Sequence, residues 1–196
     1  MTSDDALEGR ENEDVFEGYF LSRALNVNFN YLFFPGLVMH ELAHYAACVI
    51  AGSRVFETVL WSPRGGHVVH TRVRASSSVL ISLFPFFLNN FLAVLLLQDA
   101  AAQDAAVGFA FLWLAFSFAI YSIPSVPDLK NSVDAVKRSY TKRRGFGLAA
   151  TLFYIPLFAI HYILLLPLLF FSRHRTLRIV WFLMLYAAVS GGMLSA

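Results

Sequence analysis

The clearest chemical pattern in the chain is His40-Glu41-Leu42-Ala43-His44. On an α-helix, positions i and i+4 lie on one face about 6 Å apart, so both imidazoles can reach a single divalent ion. Zinc accepts His nitrogens at about 2.0–2.1 Å. Glu41 follows the first imidazole and points near such an ion without having to bind it. From there a carboxylate can take a proton from an activated water and later deliver it to a leaving amine. In a chain with six His and six Glu among 196 residues, this triplet arises by chance on the order of 0.005 times.

Two imidazoles leave zinc one protein ligand short, because catalytic sites use three plus a water. Outside the motif the candidates are Glu57, His67, His70, Asp99, Asp104, Asp128, Asp134, His161 and His174. The elements that must carry these groups narrow the choice.

Composition fixes the class of those elements. Hydrophobic residues make up 58% of the chain and charged residues 14%, with a mean hydropathy of +0.60. Soluble domains run at about 45–50% apolar and 25% charged. A soluble chain of 22.0 kDa lacks the interior to bury that much apolar surface. The expectation is an all-α polytopic membrane protein with about five transmembrane helices and a small β-hairpin after the first. Apolar stretches at 31–51, 79–97, 106–123, 148–171 and 177–193 each approach the roughly 20 residues that cross hydrocarbon. Pro156 and Pro167 should kink or tilt the fourth. Across 55–73, two β-prone runs flank Ser62-Pro63-Arg64-Gly65-Gly66, the pattern of a hairpin. The chain then divides into an acidic tail with an amphipathic segment (1–28), a catalytic membrane core of three helices plus the hairpin (29–135), and a basic loop with C-terminal transmembrane helices (136–196).

The net charge of +2 does not mark a nucleic-acid binder, because the charges are segregated: seven of the thirteen acidic residues fall between Asp4 and Glu17. Basic residues gather in the segments between spans, the loop bias of a chain whose partner is the bilayer. By that bias the hairpin and the loop 124–147 lie in the cytoplasm, while the acidic tail and the Asp99/Asp104 loop lie outside; only 172–178, with three Arg, disagrees. No cleavable signal peptide is expected. The single Cys48 excludes an intramolecular disulfide and reads as a packing residue. The expected location is the cell membrane, multi-pass, with the site toward the cytoplasmic side.

In this arrangement the first and third spans run in the same direction. His44 lies roughly 10 Å inside the end of the first span. Asp128 follows the third span beyond Pro124 and Pro127, where an interrupted backbone can fold back toward the imidazoles. Asp99 and Asp104 fall on the opposite face. Asp128 is therefore the expected third ligand. Asn131 and Asp134 cap or orient its segment, His67 and His70 read as interfacial polar residues, His161 as a buried hydrogen-bonding residue, and 137–144 as an anchor for anionic lipid.

Four features occur in the order of a known family. The motif helix is closed by Gly52. Pro63-Arg64-Gly65-Gly66-His67-Val68 is similar to a Pro-x-Gly-Gly-x-Val strand loop. The span holding Pro85 and Asn89-Asn90 resembles a Gly-Pro-x-x-Asn helix, and Pro124-Ser125-Val126-Pro127-Asp128 a Pro-rich loop with a ligand Asp. Together they cover about residues 31–131 and resemble the site-2 proteases, which are intramembrane zinc metalloproteases. Here Leu129 follows Asp128 where the family has Gly, Phe84 precedes Pro85 where it has Gly, and Asn89 stands four residues after Pro85, not three. The resemblance implies a divergent, minimal member. One Zn2+ would be held by His40, His44 and Asp128, with Glu41 as the catalytic carboxylate. Asn89, Asn90, Gly65 and Gly66 would contact a membrane-spanning or membrane-proximal segment of another protein. The residues alone leave alternatives open: Asn89 and Asn90 can stitch helices together, and the hairpin can offer an edge strand or simply lie at the interface. A zinc hydrolase of soluble peptides, or a non-catalytic membrane scaffold, would use the same His pair.

Overall fold

A computed structural model describes residues 29–143, 163, 166–172 and 174–192. In chain order the elements are α1 (Phe34–Ile50), β1 (Val55–Val59), β2 (His67–His70), α2 (Ala75–Ala100), α3 (Ala105–Ser122), α4 (Val126–Arg143) and α5 (Arg175–Ser190). The protein is mostly helical among the described residues, with one two-stranded antiparallel sheet. Among the described residues, α2 and α3 are long and apolar enough to cross a membrane. The first contains the expected stretch 79–97, and the second covers all but the last residue of 106–123. The stretches 31–51 and 177–193 are represented by α1 with 17 residues and α5 with 16. Most of 148–171, together with 1–28 and His161, lies outside the described residues.

Local chemistry sets the ends of α1. Pro35 sits in the first turn, where its missing N–H leaves no helical bond unmade. At the other end Gly52 adopts φ +65°. Its N–H donates to the Val49 carbonyl at 3.0 Å, and that of Ser53 to the Cys48 carbonyl at 2.8 Å. This reciprocal pair is a Schellman stop, which needs a residue free to take positive φ.

Small residues bring the helices together. A Cβ on Gly36 would collide with the Ser117 backbone, and the Gly36 N–H instead donates to Ser117 Oγ at 2.8 Å. Higher up the pair, His40 reaches Tyr121, so α1 and α3 run parallel, as expected. Ala93, Leu97, Ala115 and Ala119 form the α2–α3 seam. Leu37, Ile120 and Tyr121 form a second cluster between α1 and α3. Ala47, Cys48 and Ile81 form a third, with Val55 and Val68 of the hairpin packed on it. Cys48 is thus a packing residue. Outward, Phe87, Phe91 and Phe109 stand exposed.

Two placements differ from expectation. The segment 124–147, read as a loop, contains α4. Leu129, Ser132, Ala135 and Val136 are buried at helical spacing while polar residues occupy the other side; the high charge of the stretch hides that stripe in the sequence. The hairpin, read as a loop at the end of the first helix, folds back along it. Its base closes at Arg54 and Thr71. Its tip reaches Asn30, ahead of α1, where Asn30 Nδ2 donates to the Pro63 carbonyl at 3.0 Å and Trp61 Nε1 to the Asn30 carbonyl at 3.1 Å. The turn itself uses a Gly65 N–H to Ser62 carbonyl bond of 3.0 Å, with Gly65 at φ +119°.

Candidate metal centre

The site is assembled from α1, α2, α3 and α4. His40, Glu41 and His44 project from one face of α1 and all three are buried. Each imidazole is held from behind by a main-chain carbonyl. His40 Nδ1 lies 2.6 Å from the Tyr121 oxygen and His44 Nδ1 lies 2.8 Å from the Ile81 oxygen. A carbonyl only accepts, so each Nδ1 carries the hydrogen, and in the neutral form each ring turns a bare Nε2 forward.

Those two Nε2 atoms are 3.1 Å apart. Asp128 Oδ2 lies 3.9 Å from the first and 3.4 Å from the second. Three ligand atoms therefore converge within 4.8 Å of one another, and the group could hold a metal ion. With both rings neutral all three are acceptors, a mutually repulsive set that a cation between them would reconcile. The edge of a tetrahedron around zinc, at about 2.0–2.1 Å from each ligand, is roughly 3.3 Å. The observed spacings bracket that length.

Asp128 is fixed by its own helix end. Its Oδ2 accepts the Ser125 N–H at 3.0 Å and the Ser125 hydroxyl, while its N–H donates back to Ser125 Oγ at 3.3 Å. This is a capping box with Asp in the position usually held by Glu or Gln. Ser82 Oγ of α2 donates to the Asp128 carbonyl at 2.8 Å and ties the turn to the bundle. The Ser125 N–H and hydroxyl that Oδ2 accepts favour the ionised form of this carboxyl.

A cavity of about 1210 Å³ opens in front of these atoms. Glu41, Gly65, Gly66, Asp134 and Arg138 line it together with the three ligands. Gly66 packs directly over Glu41: a Cβ there would strike the Glu41 side chain and stand 2.8 Å from the Val59 carbonyl. The polar side of α4 forms one wall and the hairpin another.

The expected site residues separate into two groups. His40, Glu41, His44, Asp128, Gly65 and Gly66 meet at the cavity. Asn89 lies behind the His pair, fully buried, with Nδ2 at 3.3 Å from both the Gly36 and the Tyr121 carbonyls. Asn90 bonds the Phe86 carbonyl at 2.7 Å and accepts Trp181 Nε1 at 2.9 Å. Neither Asn lines the cavity. Asn131 accepts a 3.5 Å bond from Ser78 Oγ through its carbonyl, and His67 faces Glu57 at 3.4 Å. Sequence reasoning missed Ser125, which the spacing Ser125-x-x-Asp128 signals, and the carbonyls of Ile81 and Tyr121, which no side-chain pattern announces. No family model, curated protein or solved structure matches the chain.

Proposed function

We propose that this chain is an intramembrane zinc endopeptidase, similar to the site-2 proteases, hydrolysing peptide bonds in membrane-spanning or membrane-proximal segments of other proteins. The observation that carries the reading is the convergence of His40 Nε2, His44 Nε2 and Asp128 Oδ2 beside the buried Glu41. Two nitrogens and one carboxylate oxygen at these spacings suit zinc with its fourth position left open. Three ionisable groups within one turn of a largely apolar helix would be an expensive arrangement without such a role. About five membrane helices, an active site toward the cytoplasmic side and a location in the cell membrane complete the proposal; the two apolar helices and the segregated charges support it.

When bound, zinc polarises the substrate carbonyl and acidifies water. The remaining steps belong to the chain. His40, His44 and Asp128 present a fixed set of donors. Glu41 takes a proton as the water oxygen bonds the carbonyl carbon, and returns it to the nitrogen as the C–N bond breaks. The hairpin, lying along α1 and covering Glu41 with Gly66, borders the cavity where an unwound segment would lie.

The test pairs elemental analysis with one substitution. Wild type in detergent should carry about one zinc per chain. Glu41→Gln should keep that zinc while turnover of a membrane-segment substrate falls about 10²- to 10⁴-fold. A wild type without zinc would end the enzyme reading, and cleavage of soluble peptides alone would replace it with a membrane-bound hydrolase of soluble chains.

A further inference from the structure

The carbonyl behind His44 has lost its helical donor at a proline. In an α-helix the carbonyl of residue i accepts from the N–H of residue i+4. Residue 85 is a proline inside α2, so no N–H stands above the Ile81 carbonyl. His44 Nδ1 sits 2.8 Å from that oxygen. A different arrangement occurs at the end of α3, where His40 and Asn89 Nδ2 share the Tyr121 carbonyl. Three residues beyond Tyr121 stands Pro124, and four beyond it the Ser125 N–H turns to the Asp128 carboxylate at 3.0 Å. His40 Nδ1 takes the Tyr121 oxygen at 2.6 Å.

A buried carbonyl without a donor is costly. A proline in an apolar helix is tolerated where a neighbouring group satisfies the freed oxygen. Pro85 is fully buried, and the His44 ring on the Ile81 carbonyl is buried as well. The exchange works in both directions. The ring satisfies the carbonyl, and the carbonyl obliges Nδ1 to carry the hydrogen, which leaves Nε2 bare and aimed at its counterpart.

We infer that Pro85 is a positioning residue of the metal centre: by withholding an N–H from the Ile81 carbonyl, it reserves that oxygen for His44 Nδ1 and so sets the tautomer and direction of the ring. The inference rests on the His pair being a metal site, as proposed above, and not on which bond is cleaved there. A proline that merely bends α2 would influence packing and leave the ring's hydrogen where it was.

The substitution that separates these roles is Pro85→Ala in the full-length chain in detergent, because it restores the N–H with the best helix-forming residue. The metal-free variant should melt at or above the wild-type temperature. Its zinc affinity, read by competition with a chromophoric chelator, should fall about 10- to 100-fold. In ¹⁵N-histidine NMR of the metal-free protein, the His44 signal, assigned by its loss in His44→Gln, should move from the Nδ1–H tautomer toward a mixture. A folded Pro85→Ala with wild-type zinc affinity and an unmoved tautomer overturns the inference. Should the variant fail to fold, the wild-type spectrum decides: Nδ1–H on His44 supports it and Nε2–H overturns it. A wild type that binds no zinc would sink the proposed function, yet the tautomer would still report on Pro85.

Discussion

Asp128 and Asp134 line the same cavity on the same helix, yet only one of them reaches the imidazoles. The Asp128 carboxylate stands 3.4 Å from His44 Nε2, and Asp134 is absent from the convergent group. Asp128→Ala should therefore lower zinc content sharply while Asp134→Ala leaves it at the wild-type level; equal zinc in both variants would remove Asp128 from the ligand set. Gly66 tests the other carboxylate. An added methyl there meets the Glu41 side chain and not the three ligands, so Gly66→Ala should retain zinc. Turnover should fall roughly 10²-fold, the scale of a catalytic group misplaced by about 1 Å. Loss of zinc in this variant would show that the hairpin supports the ligands and not Glu41 alone. The His pair and Glu41 stand out by side-chain type and spacing, and Asp128 by the direction of the spans and the prolines before it. The atoms that aim the rings do not. Ile81 and Tyr121 contribute only main-chain oxygens, which any residue carries, and the sole trace in the sequence is Pro85, four residues beyond Ile81.

Among the elements, those fixed by local chemistry follow the sequence closely. Gly52 stops α1 and the Ser62–Gly65 turn makes the hairpin. Asp104 caps α3 by accepting the Ala106 and Val107 N–H groups at 3.0 Å each. What depends on tertiary contact does not follow. The hairpin's return along α1 is held by Asn30 with Pro63 and Trp61, residues more than thirty positions apart with no shared pattern. The helix α4 was concealed by its own polarity, although Ser125-x-x-Asp128 marks its start. That box joins element to site, since the same carboxylate caps the helix and faces the imidazoles. Ser125→Ala should cost about 1 kcal/mol of stability, as lost N-caps do, and weaken zinc binding as well. Stability that falls while zinc affinity holds would mean that Ser82 and the backbone alone suffice to aim Asp128.

Taken whole, the bundle has two unlike ends. Parallel α1 and α3 with antiparallel α2 bring the end of α1, the start of α2 and the start of α4 together, and the convergent ligands lie near that end. Six residues separate His44 from Ile50, about 9 Å of helix, and six separate Ile81 from Ala75 on α2. The α2–α3 turn around Asp104 lies at the opposite end. If α2 and α3 cross the bilayer, the two ends face different compartments, and the basic residues of α4 place the site's end in the cytoplasm by charge bias. Single cysteines introduced as Gln103→Cys and Lys137→Cys, each in a Cys48→Ala background, test this directly in sealed cells. A membrane-impermeant maleimide should label the first from outside and the second only after permeabilisation. The reverse result would invert the orientation and set the ligands near the outer surface. Labelling of both from one side would mean that α2 and α3 do not cross, and the catalytic reading would then have to be rebuilt for a protein lying against the membrane and not through it.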